Sequence, residues 1–381
     1  MHTHLVSFRF VLVLLISHAN LVMSQTILPR PDHIVIVIME NHSFNQIIGS
    51  SAAPYINSLA NDTLSALFTQ SYGVTHPSQP NYLALYSGNT QGITDDLVPS
   101  NNPFTTPNIG KQLINSGKTF TTYSEDLPGV GYNGETSGYY ARKHSPASNW
   151  IGTGTNQIPP TTNQSFAAFP SSNFKSLPTV CFIMPNLLND MHDGADPAKI
   201  TRGDQWISNN MNSYVQWAKA NNSLFILTFD EDNTLSSNHI ATIFTGRMIQ
   251  SGQYTTRINH YTIFHTLEKL YGLPTIGDSI AYPPINFCWK KNYLPNSLLN
   301  LPDNTLDGLI YPNPCNGFFY IELSDYQHAT AELYHLNGEF IQVCPLVSKE
   351  TEIKTDGLNK GLYLVKIRNK EGIIQRKIII N

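Results

Sequence analysis

Apolar residues in the first part of the chain form short continuous runs, separated by stretches in which they recur at helical spacing. The continuous runs are 33–38, 180–184, 224–228 and 240–244. A strand that is buried on both faces of a parallel sheet has this pattern, so all four runs are predicted to be strands. Helices are predicted at 54–59, 109–114, 204–220 and 260–271. The alternation indicates an α/β fold in which helices sandwich a mostly parallel sheet.

The region 85–175 has a different pattern from the sequence on either side of it. It is dense in Gly, Pro, Ser, Thr and Asn, apart from the helix predicted at 109–114. We therefore expect mainly long loops laid over the sheet. Loops of this length in a compact domain usually build a functional site.

The pattern changes again near Pro302. From Leu306 onward, short alternating segments at 318–323, 331–334, 362–367 and 375–380 predict strands. Asn337-Gly338 is a strong hairpin turn signal. The sequence therefore predicts a small C-terminal all-β sandwich.

The N-terminal segment is typical of a cleavable signal peptide. Arg9 precedes the apolar run 10–16, and small residues follow at 19–24. No later segment reaches the ~20 apolar residues of a membrane helix, so the mature chain is expected to lack an integral membrane segment. The expected organisation is a signal peptide at 1–24, a catalytic domain at 25–300 and the β-rich domain at 306–381.

Composition narrows the possible functions. The 381 residues are 41% hydrophobic and 13% charged, which allows a substantial core. The net charge of -4 gives no basic surface for nucleic acid. The four cysteines, Cys181, Cys288, Cys315 and Cys344, allow three disulfide pairings, and the sequence does not choose between them.

Acidic residues cluster directly after three of the predicted strands. The clusters are Glu40-Asn41, the segment 189–193 with Asp190, and Asp230-Glu231, and His239 lies just before the next strand. The carboxyl ends of parallel strands meet at one edge, so these side chains should converge there. Carboxylates at close range repel one another and require a cation. Oxygen-rich sites with histidine suit Mg²⁺, Mn²⁺, Ca²⁺ or Zn²⁺.

Ser78 lies in a second polar motif, 75–82, ahead of a predicted helix. Pro80 suits the first helical turn, which puts Ser78 at or near the N-cap. A helix cap and a nucleophile are both compatible with this position. The helix dipole contributes only ~0.3–1 kcal/mol, whereas a bound metal contributes several. The nucleophile interpretation therefore depends on the carboxylates being close by.

Four motifs in order resemble those of the bacterial phospholipase C/acid phosphatase phosphoesterase family, part of the alkaline phosphatase superfamily. They lie at 38–44, 75–82, 189–194 and 227–231. The resemblance spans roughly 31–275. It implies an alkaline phosphatase-like fold and a metal-dependent hydrolase of phosphoric esters. The length of the chain is closer to the acid phosphatases than to the large phospholipases.

The same resemblance implies roles for individual residues. Ser78 would be the phosphorylated nucleophile, and either His192 or His76 would protonate the leaving oxygen. Glu231 replaces a histidine ligand of many superfamily members, which makes a single-metal site plausible. The full assignment is Ser78, His192, Asp193 and His239 as catalytic residues, His76, Asn81, Lys143 and His144 as substrate-binding residues, and Glu40, Asn41, Asp190, Asp230 and Glu231 as metal ligands.

The C-terminal segment resembles the sorting domain of the bacterial type IX secretion system. The resemblance rests on 311–314, Gly317, 336–338, 361–366 and 377–380. It implies export through that machinery to the medium or the cell surface. The alternative for this segment is a carbohydrate-binding β-sandwich.

The sequence thus predicts a secreted acid phosphatase whose partners are a phosphate ester and the type IX secretion machinery, with no nucleic acid. Two alternatives stay open. One is a phospholipase C-type phosphodiesterase, although no amphipathic helix suited to docking on a bilayer is evident. The other is a non-catalytic surface adhesin on the same fold.

Overall fold

The computed structural model describes residues 28–291, 293, 308–336, 339–369 and 372–381. The predicted signal peptide, the change in pattern near Pro302 and the Asn337-Gly338 turn lie outside these residues. We call residues 28–293 the α/β unit and residues 308–381 the tail.

A mostly parallel sheet runs through the α/β unit. Its strands and a small separate hairpin, β4–β5, are β1 (His33–Met39), β2 (Ser65–Tyr72), β3 (Phe120–Ser124), β4 (Thr136–Ser137), β5 (Tyr140–Ala141), β6 (Asn163–Ser165), β7 (Val180–Met184), β8 (Ser223–Phe229), β9 (His239–Thr245), β10 (Gly252–Tyr254) and β11 (Ile258–Asn259). The sheet order is β10-β2-β9-β8-β1-β7-β3-β6, and β11 also pairs with β2. Within the described part of this sheet, only β9 runs antiparallel to its neighbours.

Helices cover both faces of this sheet. They are α1 (Phe44–Ile47), α2 (Pro54–Ala60), α3 (Ser78–Ser87), α4 (Ile109–Asn115), α5 (Ala198–Ala220) and α6 (His260–Tyr271). Short 3-10 helices occur at Arg142–His144, Pro146–Trp150, Pro160–Thr162, Phe166–Ala168, Phe174–Ser176 and Gly277–Ala281. Alternate residues of β1 point to opposite faces: Ile36 joins a core with α3, α4 and α6, and Val37 joins a second core with α2 and α5. The predicted α/β sandwich is confirmed.

The four predicted strands and four predicted helices are all present, and α5 begins at Ala198 rather than at 204. Five strands of the sheet, β2, β3, β6, β10 and β11, were not predicted. Because β3 and β6 fall inside 85–175, the prediction that this region is mainly loops was wrong for residues 120–124 and 163–165.

Buried hydroxyl groups explain why β2 did not look like a buried strand. Ser65 Oγ lies 2.7 Å from Thr245 Oγ1, and Ser71 Oγ lies 2.7 Å from Thr242 Oγ1, both across the β2–β9 pairing. Thr242 Oγ1 is also 2.9 Å from Thr228 Oγ1 on β8. Each of these buried hydroxyls has a hydrogen-bond partner, so β2 can place polar residues in the core.

The described part of the tail is a sandwich of two antiparallel sheets. Its strands are β12 (Gly308–Tyr311), β13 (Phe318–Leu323), β14 (Thr330–His335), β15 (Phe340–Pro345), β16 (Glu350–Lys354), β17 (Gly361–Asn369) and β18 (Gly372–Ile380). The sheet orders are β12-β13-β16 and β15-β14-β17-β18. Phe319 and Ile321 of the first sheet share one core with Val365 and Ile378 of the second. This confirms the predicted all-β sandwich.

Neither disulfides nor membrane-spanning helices contribute to the described fold. All four cysteines are free thiols, so none of the three pairings is formed in the structure. None of the helices placed by the structure combines the length and apolar character needed to cross a membrane.

A buried carboxyl group, that of Glu268, holds the segment after α6 against the α/β unit. Its Oε1 accepts a hydrogen bond from the backbone N–H of Ile276 at 2.9 Å, and its Oε2 lies 3.5 Å from Ser279 Oγ. Burial raises the pKa of Glu268 to about 8. The folded protein therefore keeps a proton on this group that the unfolded chain has already lost at neutral pH.

We expect the Glu268→Gln variant to be more stable than the parent at pH 8 and little changed at pH 4. The contribution of Glu268 to the free energy of unfolding is fully present below its unfolded pKa of about 4.5. This contribution is lost as the pH rises through about 8. The gain at pH 8 should be on the order of 2 kcal/mol, or several degrees in Tm, measured by calorimetry at both pH values.

Glu135→Gln, which neutralises an exposed carboxylate, is the matched control and should change Tm little at either pH. An equal shift of the Glu268→Gln variant at the two pH values would contradict the assignment, because it would show that Glu268 is not protonated by folding.

Candidate active site

Three acidic residues meet at the carboxyl-terminal edge of the sheet, as their positions after the strands predict. Glu40 directly follows β1 and Asp230 directly follows β8, while Asp190 lies in the loop after β7. The backbone N–H of Glu40 donates to the carbonyl of Asp190 at 2.8 Å. Asn41 has a left-handed backbone (φ 49°), and its N–H donates to Asp230 Oδ1 at 3.0 Å. Asparagine tolerates this conformation better than most residues, which suits it to the turn.

Ser78 is the first residue of α3, and its hydroxyl faces this carboxylate cluster. Its Oγ lies 3.1 Å from Glu40 Oε2 and 3.4 Å from Glu231 Oε1, and the side chain is buried. The N-cap is Pro77 rather than Ser78, and no side chain caps the helix. Because the Ser78 hydroxyl hydrogen-bonds to carboxylates and not to helix N–H groups, the capping interpretation does not explain it.

The carboxylates are held in an environment that disfavours their negative charge. Burial, together with the neighbouring charges of Asp230 and Asp190, raises the pKa of Glu40 well above its usual value. Burial raises the pKa of Asp190 in the same direction. It raises the pKa of Asp230 to about 6 and, with repulsion from Asp230, that of Glu231 to about 9. Burying several carboxylates close together costs free energy unless a cation neutralises their charge.

The donor set fits a divalent metal ion. Asp230 Oδ2 is buried and has no hydrogen-bond partner, so this acceptor of the cluster is unpaired. Glu40, His144 and His192 also each offer one ligand atom within 4.8 Å of the others. Carboxylate and imidazole ligands together suit Zn²⁺ or Mn²⁺, and carboxylates with an amide oxygen suit Mg²⁺ or Ca²⁺. A cation here would relieve the repulsion that raises the pKa values.

His144 lies inside the cluster as a neutral ring. It stacks on Tyr82 with ring centroids 5.2 Å apart, and its Nε2 and Nδ1 lie 3.4 Å from Glu40 Oε1 and 3.2 Å from Asp190 Oδ2. Neither of these close approaches has the angles of a hydrogen bond, since Nε2 and Oδ2 have no partner. Burial, with the charge of Lys143, lowers the pKa of His144 well below its usual value. His144 is therefore suited to bind a metal cation through a ring nitrogen, and not to carry a proton.

Lys143, His192 and Asp193 line the more open side of the cluster. His192 Nδ1 lies 2.7 Å from Asp193 Oδ1, and its Nε2 lies 3.5 Å from Lys143 Nζ. Lys143 Nζ also pairs with Asp96 Oδ2 at 3.0 Å. Burial lowers the pKa of Lys143, but the bond to Asp96 and the charge of Glu40 outweigh this effect and raise it overall. The lysine therefore keeps a positive charge on the open side of the cluster.

His76 faces two carboxylates and is partly exposed. Its Nδ1 lies 2.7 Å from Glu231 Oε2, and its Nε2 lies 3.4 Å from Asp232 Oδ1. An imidazolium would thus have an acceptor for each N–H. Asn81 mainly holds the loop that carries His76, since its Oδ1 accepts from the N–H of Val74 at 2.8 Å.

The structure does not bring His239 into contact with these residues. His239 Nε2 lies 3.0 Å from the carbonyl oxygen of Thr69. Its ring stacks between Phe44 and Tyr72, with centroids 4.8 Å and 5.1 Å away. His239 is the first residue of β9, which runs antiparallel to β8, so it lies at the same edge of the sheet but beside the cluster.

Sequence reasoning missed two residues that position the site. Tyr82 donates a short hydrogen bond from its hydroxyl to Glu40 Oε1, and Asp96 pairs with Lys143. Tyr82 lies four residues after Ser78, on the same face of α3, so helical spacing was a usable signal. Asp96 lies in a long loop, and no periodicity in the sequence places it.

Comparisons with known proteins agree with this chemistry. The model of the phosphoesterase family matches residues 50–274, and that of a secretion system C-terminal sorting domain matches residues 309–381. The chain is 45% identical over 263 residues to a phosphatidylinositol-3-phosphatase of Mycobacterium tuberculosis, covering 69% of this chain and 84% of that protein. It is 33% identical over 232 residues to an acid phosphatase of Aspergillus fumigatus, covering 55% of this chain and 49% of that protein. The chain therefore spans about half the length of that acid phosphatase.

Among solved structures, a Vibrio parahaemolyticus protein in the alkaline phosphatase superfamily aligns with 92% of this chain and 80% of its own. The TM-score is 0.49 and the sequence identity is 12%.

Proposed function

We propose that this chain is an exported phosphatase that acts on phosphate monoesters through Ser78. The chain belongs to the phosphoesterase family and is a hydrolase of phosphoric esters. The observation that carries this proposal is the Ser78 hydroxyl, buried 3.1 Å from Glu40 in a cluster of carboxylates. The names of the two relatives described above denote phosphatases, which favours a monoester over the diester of a phospholipase C.

We propose that Glu40, Asn41, Asp190, Asp230 and Glu231 hold a divalent metal ion, with His144 and His192 within reach. When bound, such an ion would lower the pKa of the Ser78 hydroxyl and neutralise charge on the phosphoryl oxygens. The support is the unpartnered Asp230 Oδ2 and the raised pKa values of the buried carboxylates.

In the proposed first step, Ser78 Oγ attacks phosphorus in line with the ester bond. The Oγ–P bond forms, the bond from phosphorus to the leaving oxygen breaks, and the Ser78 proton passes to Glu40 or Glu231. Lys143 binds a phosphoryl oxygen at the entrance. In the second step, water attacks the phosphoserine and gives a proton back to the histidine that protonated the leaving oxygen. The Oγ–P bond breaks, the proton held by Glu40 or Glu231 returns to Ser78 Oγ, and inorganic phosphate leaves.

His76 is a better donor of the leaving-group proton than His192. Both nitrogens of His76 lie near carboxylates, Nδ1 at 2.7 Å from Glu231 Oε2 and Nε2 at 3.4 Å from Asp232 Oδ1, and the side chain is partly exposed. The Nε2 of His192 instead lies 3.5 Å from Lys143 Nζ, so its neighbour is a lysine and not a carboxylate. A histidine acid predicts highest activity at mildly acidic pH.

The C-terminal sorting domain indicates a secreted or cell-surface protein. We propose that the tail recruits the type IX secretion machinery after a signal peptide at 1–24 has directed the chain across the inner membrane. The proposed division into a catalytic domain at 25–300 and a sorting domain at 306–381 is supported by the two family matches.

The experiment that tests this function compares p-nitrophenyl phosphate with p-nitrophenylphosphorylcholine, each with and without chelator. We expect the monoester to be cleaved at least ~100-fold faster in kcat/KM, and chelator to remove the activity. Faster cleavage of the diester would support a phospholipase C-type enzyme. Cleavage of neither ester would support the non-catalytic adhesin.

A further inference from the structure

We propose that loops around the Ser78 site form an apolar rim that docks the protein on the surface of a lipid bilayer, so that esters carried by membrane lipids reach the site. The rim consists of Leu97, Val98, Tyr139 and Leu235. The inference rests on the proposed phosphatase function and adds where the substrate resides.

The rim side chains are unusually exposed for apolar residues of their size. The exposed fractions are 65% for Leu97, 41% for Val98, 48% for Tyr139 and 82% for Leu235. Single exposed apolar residues are ordinary on protein surfaces. Here four of the six large apolar side chains exposed in the described α/β unit belong to loops fastened to the same site. Their shared attachment to the site is the feature that sets these four side chains apart.

The loop that carries Leu97 and Val98 is fixed to the residue after Ser78. The backbone N–H of Gln79 donates to Asp96 Oδ1 at 3.0 Å, and Gln79 Nε2 donates to the carbonyl of Leu97 at 2.7 Å. Asp96 Oδ2 pairs with Lys143 at 3.0 Å. Leu97 and Val98 therefore stand directly beside the entrance.

Leu235 is held on another side of the entrance. Asp232 accepts from the N–H groups of Thr234 at 2.6 Å and Ser236 at 2.7 Å, which brace Leu235 from both sides. The same carboxylate lies 3.4 Å from His76.

Tyr139 lies in the turn of the β4–β5 hairpin. Its carbonyl accepts from the N–H of Leu187 at 3.0 Å, in the loop that leads from β7 to Asp190. The hairpin continues directly into the short helix that carries Lys143 and His144. A third loop of the rim is thereby tied to the site.

The polar side chains between these loops are the partly open ones. The side chains of His76, Lys143 and His192 are 36%, 22% and 29% exposed, whereas Ser78 is buried. These three side chains therefore mark the open side of the site, to which the rim loops are hydrogen-bonded.

The form of the rim favours a bilayer over a protein partner. A stable protein interface needs about 800 Å² of continuous surface on each partner, whereas the rim is a set of separate side chains on three loops. A few apolar side chains inserted among lipid headgroups suffice for reversible membrane binding. Asp96 and Asp193 at the entrance, with a net charge of -4 for the chain, do not attract anionic lipids. Docking should therefore occur on neutral lipid and resist salt.

The test is sedimentation of the exported protein with sucrose-loaded phosphatidylcholine vesicles. The double variant Leu97→Ser and Leu235→Ser should bind these vesicles about tenfold or more weakly than the parent, at low and at high salt. Ile280→Ser is the matched control. Ile280 is 72% exposed but lies beside the far end of α3, where the N–H of Asp278 donates to the carbonyl of Gly88 at 2.7 Å.

A kinetic measurement separates docking from catalysis. The double variant should lose about tenfold in kcat/KM toward phosphatidylinositol 3-phosphate embedded in phosphatidylcholine vesicles. Unchanged cleavage of soluble p-nitrophenyl phosphate by the same variant would show that the site is intact. None of the contacts described above joins the two substituted side chains to the Ser78 cluster.

Three results would overturn the inference. They are parent-like vesicle binding by the double variant, an equal loss in Ile280→Ser, and binding only to anionic vesicles that salt reverses. Binding to a protein partner but not to vesicles would also count against it. If the parent cleaves no soluble ester, the proposed function itself fails, whatever the vesicles show.

Discussion

Ser78→Ala is expected to lower kcat toward p-nitrophenyl phosphate by about 10⁴-fold, with little change in Tm. The Ser78 hydroxyl is the only protein group proposed to form a bond to phosphorus, and loss of a hydrolase nucleophile costs about 10⁴-fold or more in kcat. Steady-state kinetics at mildly acidic pH measure the loss. Trapping of labelled phosphate on the parent after acid quenching should locate a phosphoserine at position 78.

Ser87→Ala provides the matched control, since Ser87 is a buried serine on the same helix. Its Oγ donates to the carbonyl of Leu83 at 2.8 Å, at the end of α3 away from the carboxylates. We expect its activity to stay within about twofold of the parent. If Ser78→Ala retained comparable activity, water rather than Ser78 would be the attacking group.

Asp230→Asn is expected to change stability and activity in opposite directions. In chelator the variant should melt several degrees higher than the parent, because it removes one of the buried charges that repel Glu40. Activity should fall about 10³-fold, since the metal site loses a charged ligand. Added Mn²⁺ or Zn²⁺ should raise the Tm of the parent much more than that of the variant.

Asp204→Asn tests whether this behaviour belongs to the site. Asp204 is a buried carboxylate of α5 that accepts from the backbone N–H groups of Tyr55 and Ile56 at 3.0 Å and 2.8 Å. Its replacement should lower Tm and leave activity nearly unchanged, because the Asn side chain has one acceptor oxygen where the two backbone N–H groups each use one. An increase in Tm for both variants would mean that the gain does not come from relieving repulsion between Asp230 and the neighbouring carboxylates. A metal response equal to that of the parent would remove Asp230 from the ligand set.

The parts of the site that could be predicted from the sequence are those that strand ends fix. Glu40 and Asp230 follow continuous apolar runs, and parallel pairing of β1 with β8 brings any such residues together. Ser78 could be placed because Pro80 marks the first turn of a helix. In each case a local pattern determines the position of the backbone, and the side chain follows from it.

The parts that could not be predicted depend on long-range contacts between loops or on polar groups in the core. Asp96 reaches Lys143 across 47 residues of sequence, with no periodic pattern between them. His239 was placed at the correct edge, yet the rings of Phe44 and Tyr72 hold it to one side. Residues 65–72 contain Ser65 and Ser71, which make a buried strand look like a surface segment.

The row of hydroxyls through the sheet also constrains how this protein can change over generations. Thr242 Oγ1 lies between Ser71 Oγ and Thr228 Oγ1, and Thr228 Oγ1 in turn lies 3.4 Å from the carbonyl of Phe229. An apolar residue at Thr242 alone would leave the buried Ser71 hydroxyl without its partner, at a cost of about 1–3 kcal/mol, and would leave Thr228 Oγ1 with only the carbonyl of Phe229. The three positions are therefore expected to vary together in natural relatives, as polar sets or as apolar sets. Such joint variation would mark the order of β2, β9 and β8 in sequences too distant to align by identity.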